Sequence, residues 1–326
     1  MRTRDIFVFD RRDVLRAGAG LAAVGAFGIG RARAETFVNV LTGGTSGAYY
    51  PIGVALGGVI EKTVEGVKTS VQATKASVEN LNLLQKGQGE IGFTLADAAS
   101  AAVAGNADAG FKAPLDKLRL ISGIYSNYVQ IVANAESGIA SLADLKGKRI
   151  SVGAPKSGTE LNARAILGAA GITYDDFAKV EYLPFGESVD LMKNRQIDVT
   201  LQSAGLGVGS IKDLAASIKI TIVPVPADIV AKVGDAAYQA GEIPAGTYTG
   251  QDVAVPTASI RNLLVSHDGV TEDLAYGMTK ALFDNLDTLA AAHAAARGIK
   301  LEASAAQGPV PIHPGALRFF KEKGLA

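Results

Sequence analysis

Two stretches of the chain follow one local plan: an apolar strand, a loop of small residues, then a helix. That repetition restricts the fold more than any other feature. In the first, "TFVNVL" leads into "TGGTSGAYYP" (42–51), which is followed by Ile52, Ala55, Leu56, Val59 and Ile60 at helical spacing. In the second, "KRISVGAPKSGTELNARAILGAAG" (148–171) repeats the order and closes on Gly171 as a C-cap. A further unit recurs behind each. "SVENLNLLQKGQGEIGFTL" (77–95) and "SVDLMKNRQIDVTL" (188–201) both read Ser-Val-acidic, a short leucine-bearing helix, a polar turn and a strand ending Thr-Leu. "VKTSVQAT" supplies another strand, and Ser77 is expected to cap the helix after it. Strands alternating with helices predict an α/β fold, and the repetition in order predicts two lobes built alike.

Two long β-rich runs suit crossings between such lobes. They are "LRLISGIYSNYVQIVANAESG" (118–138) outward and "GQDVAVPTASIRNLLVSHDG" (250–269) on return. Thr271 should then begin one long helix carrying Leu274, Met278, Leu282, Leu286 and Leu289. Lobe 1 is accordingly expected at 35–127 plus 252–326, and lobe 2 at 128–251.

A helix N-terminus exposes unpaired N–H groups and a partial positive charge. Glycines ahead of it let a ligand approach the backbone, so such a loop holds a carboxylate or phosphate without a basic side chain. Thr42 to Ala48 and Ser157-Gly158-Thr159 are two such loops, and lobes facing one another would grip an anionic solute from both sides. Tyr49 or Tyr50 would add an apolar wall with a polar tip. Enzymatic motifs are missing. The loops lack the Walker order G-x-x-x-x-G-K-[ST], "GTSGA" misses G-x-S-x-G by one spacing, and "KSG" has no S-x-x-K beside it. His267, His293 and His313 show no metal-ligand spacing; His293 reads as solvated and His313 as a turn residue. Asp97 and Asp198 read as punctuation of their strands. No enzyme activity, cofactor or metal is expected.

The chain's first residues carry an address. "DRRDVLRAGAGLAAVGAFGIGRARAET" has paired Arg11 and Arg12, a short Gly/Ala-rich apolar run and an Ala32-Arg33-Ala34 cleavage pattern. The apolar run falls short of the roughly 20 residues a membrane span needs, so 1–34 is expected to be a cleavable Tat-like signal, directing the protein to the periplasm. Removing its seven basic and three acidic residues from 32 of each leaves 25 basic against 29 acidic, a net charge near −4. No basic field invites nucleic acid, and the absence of cysteine excludes disulfides and thiolate chemistry.

"TGGTSGAYYPIGVALGGVIEK" closely resembles the opening motif of the TAXI family, solute receptors of one class of TRAP transporters. The likeness continues through "ASVENLNLLQKGQGEIGFTLADAA", "GAPKSGTELNARAILGAAGI", "IPAGTYTGQDVAVPT", "YGMTKALFDNL" and "PIHPGALRFFKEKG", in order. It departs from the family at "DVTLQSAGLGVG" and at Thr94-Leu95-Ala96, where pocket walls would lie. The resemblance implies a type II periplasmic-binding-protein fold with a hinge and an inter-lobe cleft. It also implies a monomer that captures a small organic anion (glutamate, glutamine, or a keto or dicarboxylic acid) for a membrane permease driven by an ion gradient. Matched to the family's motifs, Thr45, Ser46, Tyr49, Ser77, Asn80, Ser157, Gly158, Thr159, Ser203 and Tyr248 are the expected ligand-binding residues. A sensory binding protein feeding a membrane kinase, a receptor for an ATP-driven importer, and a periplasmic enzyme with an acid/base pair in the cleft remain open alternatives.

Overall fold

In the computed structural model, which describes residues 35–305 and 308–326, the first half of the repeat forms as its pattern dictates. The export-signal reading of 1–34 lies outside the described residues. β1 (Thr36–Leu41), β2 (Val67–Gln72) and β3 (Ile91–Leu95) pair in parallel with β1 in the middle. α1 (Tyr49–Thr63) and α2 (Ser77–Gln85) make the two crossovers, and α3 (Ala96–Ala104) follows β3 directly. α1 buries Ile52, Leu56, Val59 and Ile60, the stripe its spacing predicts. Each such side chain contributes about 1.5–3 kcal/mol when fully buried, enough to anchor a helix without strong caps.

The second half copies the first. β5 (Arg149–Ser151), β6 (Lys179–Glu181) and β7 (Val199–Ala204) again pair in parallel, now around β5. α4 (Gly158–Ala169) and α5 (Phe185–Lys193) are the crossovers. α2 and α5 each begin fourteen residues before their strand, at 77 for 91 and at 185 for 199. The structural register therefore differs from the Ser-Val match. Ser188, the fourth residue of α5, is the counterpart of Asn80 rather than of Ser77. Ser77 is not a cap either: Ala76 occupies the N-cap position without a side-chain bond, and Ser77 opens the helix.

The two halves are joined by long strands. β4 (Leu118–Asn134) has seventeen residues and β10 (Val255–His267) thirteen, where about five or six is usual. β10 runs antiparallel to β3 through Asn262–Val265, and β4 runs antiparallel to β7 through Tyr128–Ala133. Between these contacts β4 and β10 pair with each other, with irregular register between Arg261 and Leu263 and between Leu264 and Val265. The sheet order is β2-β1-β3-β10-β4-β7-β5-β6, with β8 (Ile220–Val223) on β4 and β9 (Tyr238–Ile243) on β10.

The remaining helices cover the flanks: α6 (Gly209–Ser217), α7 (Ala227–Lys232), α8 (Glu272–Asp284), α9 (Leu286–Ala292), α10 (Leu301–Ser304) and α11 (Pro314–Glu322). Thr271 caps α8 as expected, its hydroxyl accepting from Leu274 N–H, but the expected single helix is broken at Asn285. There the Asn285 amide side chain donates to the Ala281 carbonyl at 2.9 Å, ending one helix before the next begins. His313 is a buried N-cap: Nδ1 accepts from Gly315 N–H, so Nε2 carries the proton it donates to Val270 O at 3.0 Å. His293 is partly buried and caps a short 3-10 turn rather than lying solvated on a helix. Asp198 ends its turn by clasping Arg149 through both carboxylate oxygens, which holds its carboxyl below the usual range. Among the described residues, no helix is long and apolar enough to cross a membrane.

Candidate functional site

The parallel strands of both halves end on the same cavity, the crevice beyond strand C-termini where open α/β sheets bind ligands. It measures about 690 Å³ including its mouth. The β1–α1 loop contributes Gly43, Gly44, Gly47, Ala48 and Tyr49, and the β2–α2 loop contributes Thr74 to Ser77. From the other half come Ala154 and Ser157 to Thr159 ahead of α4, Pro184 and Phe185 at the start of α5, and Ser203 and Ala204 ending β7. Leu95 of β3 and Asn127 of β4 complete the wall.

Four helices thus begin on this cavity, and three begin without a side-chain cap. α1 follows Ala48, α2 follows Ala76 and α5 follows Pro184, none of which bonds the first turn through its side chain. Only α4 is capped, by Ser157 Oγ accepting from Glu160 N–H at 3.1 Å. A first turn without a side-chain cap keeps a net positive end and backbone N–H groups open to a ligand, apart from Glu79 N–H, which Lys156 O takes, and Pro51, which has none. Ala76 also has φ 69 and ψ −152, a region used almost solely by glycine. Backbone strain of about 1–3 kcal/mol is thereby stored on the cavity wall.

The walls touch where small residues allow it. A Cβ on Gly158 would fall 2.5 Å from Ser77 Oγ and 2.7 Å from Leu95 Cδ1, so α2 and α4 meet there without room for a side chain. Glu79 N–H donates to Lys156 O at 3.3 Å across the same contact. Behind it Asp97, in the first turn of α3, receives Asn162 Nδ2 and Tyr238 OH, each at 2.7 Å on Oδ2. Asp97 is thus more than strand punctuation; it ties α3 to α4 and β9.

A buried hydrogen-bond chain runs behind the cavity through both long strands. Tyr49 OH donates to Asn262 Oδ1, Asn262 Nδ2 donates to Asn127 Oδ1 at 2.8 Å, and Asn127 Nδ2 donates to Ser203 O at 3.0 Å. Burial, with the nearby Asp97 charge adding to it, raises the Tyr49 pKa and keeps the phenol protonated. With its hydroxyl committed, Tyr49 offers the cavity its ring, which stacks on Phe93 at 5.0 Å between centroids. Ser203 is different. It is 5 % exposed, its N–H donates to Thr159 Oγ1 at 3.4 Å, and its own Oγ is buried with no partner.

Of the residues expected from sequence, Tyr49, Ser77, Ser157, Gly158, Thr159 and Ser203 line the cavity. The other four do not. Thr45 is exposed and Ser46 half-buried at the loop's tip, where a Cβ on Gly186 would come within 3.5 Å of Ser46 Oγ. Asn80 is fully buried, and its Nδ2 donates to the carbonyls of Thr42 and Phe93, pinning the ends of β1 and β3. Tyr248 is buried behind β7, where its OH donates to Gln130 Oε1 and accepts from Gly207 N–H. Sequence reasoning missed Lys75, Asn127 and Phe185. Phe185 had a local signal, since "LPFGES" places an aromatic residue at the start of the second copy's helix.

Solved structures share this architecture at low identity. A periplasmic transporter matches at TM-score 0.56 and 13% identity, over 88% of this chain and 92% of its own. A protein from Bordetella bronchiseptica RB50 matches at TM-score 0.51 and 16% identity, over 87% and 88%. The alkanesulfonate-binding protein SsuA from Xanthomonas axonopodis pv. citri, solved with MOPS bound, matches at TM-score 0.48 and 14% identity, over 90% and 96%. The fold is the two-lobed type II periplasmic-binding-protein fold, with the cavity in the cleft between its lobes. The family model described as NMT1-like matches residues 40–324, and the chain belongs to the NMT1-like family.

Proposed function

We propose that this chain is an extracytoplasmic solute receptor that captures a small organic anion and hands it to a membrane permease. The observation that carries the reading is the cavity itself: four helix N-termini, three without a side-chain cap, converge on it beside the orphaned Ser203 hydroxyl. Oriented backbone donors in a half-enclosed site favour an anion. Lobe 1 is 35–127 plus 252–326 and lobe 2 is 128–251. The pairing supports the outward boundary, since β4 takes up β7 from Tyr128, while the return along β10 stays with β9 through Ile260 and meets β3 from Asn262. An open form binds the anion on one lobe, and closure adds the other lobe's donors. Residues 1–34 direct export to the periplasm and are removed. The permease is of the TRAP type, a reading that rests on the motif resemblance.

A thermal-shift series on the purified protein tests it. A ligand at a hundred to a thousand times its dissociation constant adds about 3–4 kcal/mol. Stabilisation by organic anions supports the receptor; stabilisation by sugars or cations alone, or turnover of the bound anion, refutes it. Loss of uptake when the gene for a many-helix permease is deleted, with ATP-driven import intact, would place the partner.

A further inference from the structure

The cavity's charge pattern narrows what it holds. Among the described residues that line it there is no Asp or Glu, and Lys75 is the sole charged side chain. Asp97, the carboxylate behind the wall, is already engaged by Asn162 and Tyr238 and does not line the cavity. The polarity on offer is therefore positive from the helix starts of both halves, with a hydroxyl donor from Ser203. An ammonium group entering here would meet like polarity and lose its water without gaining a carboxylate, a costly burial. The rest of the wall is apolar: the Tyr49 and Phe185 rings, Leu95, Ala154, Pro184 and Ala204. Such a surface suits a hydrocarbon body.

From this pattern we infer that the cavity takes an organic acid with an apolar chain and no ammonium group, and rejects the α-amino acid of the same skeleton. The inference rests on the receptor reading and replaces its amino-acid branch. The anionic head sits against the uncapped helix starts, and Ser203 Oγ donates to it or to an adjacent oxo or hydroxyl oxygen. The chain lies along Leu95 and Phe185. A carboxylate and a sulfonate share this chemistry.

Titration calorimetry on the purified full chain decides it, using matched sets with one skeleton and different α-groups. 4-Methyl-2-oxopentanoate, its 2-hydroxy analogue and L-leucine form one set; further sets run from acetate-sized to phenylpyruvate-sized skeletons, with alkanesulfonates as a parallel arm. The expected result is that the oxo or hydroxy acid of at least one set binds roughly a hundredfold more tightly than its amino acid, about 2.7 kcal/mol. A sulfonate binding in place of every carboxylate keeps the inference and identifies the head group. An amino acid that binds as well as its oxo acid overturns the inference and leaves the receptor reading standing. If no organic anion in any set binds, both fall.

Discussion

Replacing Asp97 by asparagine tests how much free energy a buried carboxylate stores between α3, α4 and β9. Asp97 is 7 % exposed; its Oδ2 accepts from Asn162 and Tyr238, while its Oδ1 and Asn162 Oδ1 are buried without partners. Burial raises its pKa from 3.8 to about 6, opposed by the Tyr238 and Ala98 hydrogen bonds and helped by Asp235. The folded value lies above the unfolded one. Stability from this group is therefore full below pH 3.8, declines as pH rises through about 6, and stays reduced above it. At 1.36 kcal/mol per pH unit, the charged form costs about 3 kcal/mol at neutral pH. The asparagine side chain would keep the shape and accept from both donors while carrying no charge. Urea unfolding should show Asp97→Asn and the parent equally stable below about pH 4, with the variant gaining up to about 3 kcal/mol by about pH 7. A gap independent of pH, or a variant less stable near neutrality, would refute the claim that the charge is costly there.

Gly158→Val should wedge α4 away from Ser77 and Leu95, so affinity for the bound anion falls at least roughly a hundredfold while far-UV circular dichroism stays unchanged; unaltered affinity would remove this contact from the site. Ser203→Ala deletes a hydroxyl with no protein partner. Stability should hold within about 0.5 kcal/mol while affinity drops about tenfold by calorimetry, and equal affinity excludes Ser203 from ligand contact. His313→Ala removes the cap of α11 and a buried bond to Val270, an expected loss of about 2 kcal/mol in urea. Burial lowers the His313 pKa, so the parent loses stability as pH falls below 6.5 and the variant should lose less; parallel pH profiles would contradict that.

What could be read from the sequence was local. Strand, glycine loop and amphipathic helix are written in consecutive residues at 36–63 and 149–169, so both jaws of the cavity and the crossing strands were legible. Polar residues inside the jaws were harder. Asn80 and Tyr248 resemble ligand donors by type, yet their polar atoms go to carbonyls, an amide N–H and a glutamine inside the fold, and only tertiary packing shows it. Asn127 reaches the cavity because β4 passes beneath it, which no local pattern reveals. The Ser-Val match misaligned α5 because that helix starts directly after Pro184 in its N-cap position, three residues beyond the end of β6, rather than at the first serine. The break at Asn285 depends on a side-chain bond to the preceding turn, which hydrophobic spacing does not encode.

Much of the cavity's polarity belongs to the main chain, and short of proline, as at Pro51 in α1, no codon removes an amide N–H. An alanine scan would pass over the first-turn N–H groups of α1, α2 and α5 without registering them, and would report only the side chains between them. Natural variation meets the same asymmetry. Leu95, Phe185 and Ala204 can change size or shape one at a time while the amide donors persist through every such change. If the cavity holds an organic acid as proposed, a lineage built on this scaffold could exchange one acid for another in a few steps, without passing through a form that has lost its grip on the charge.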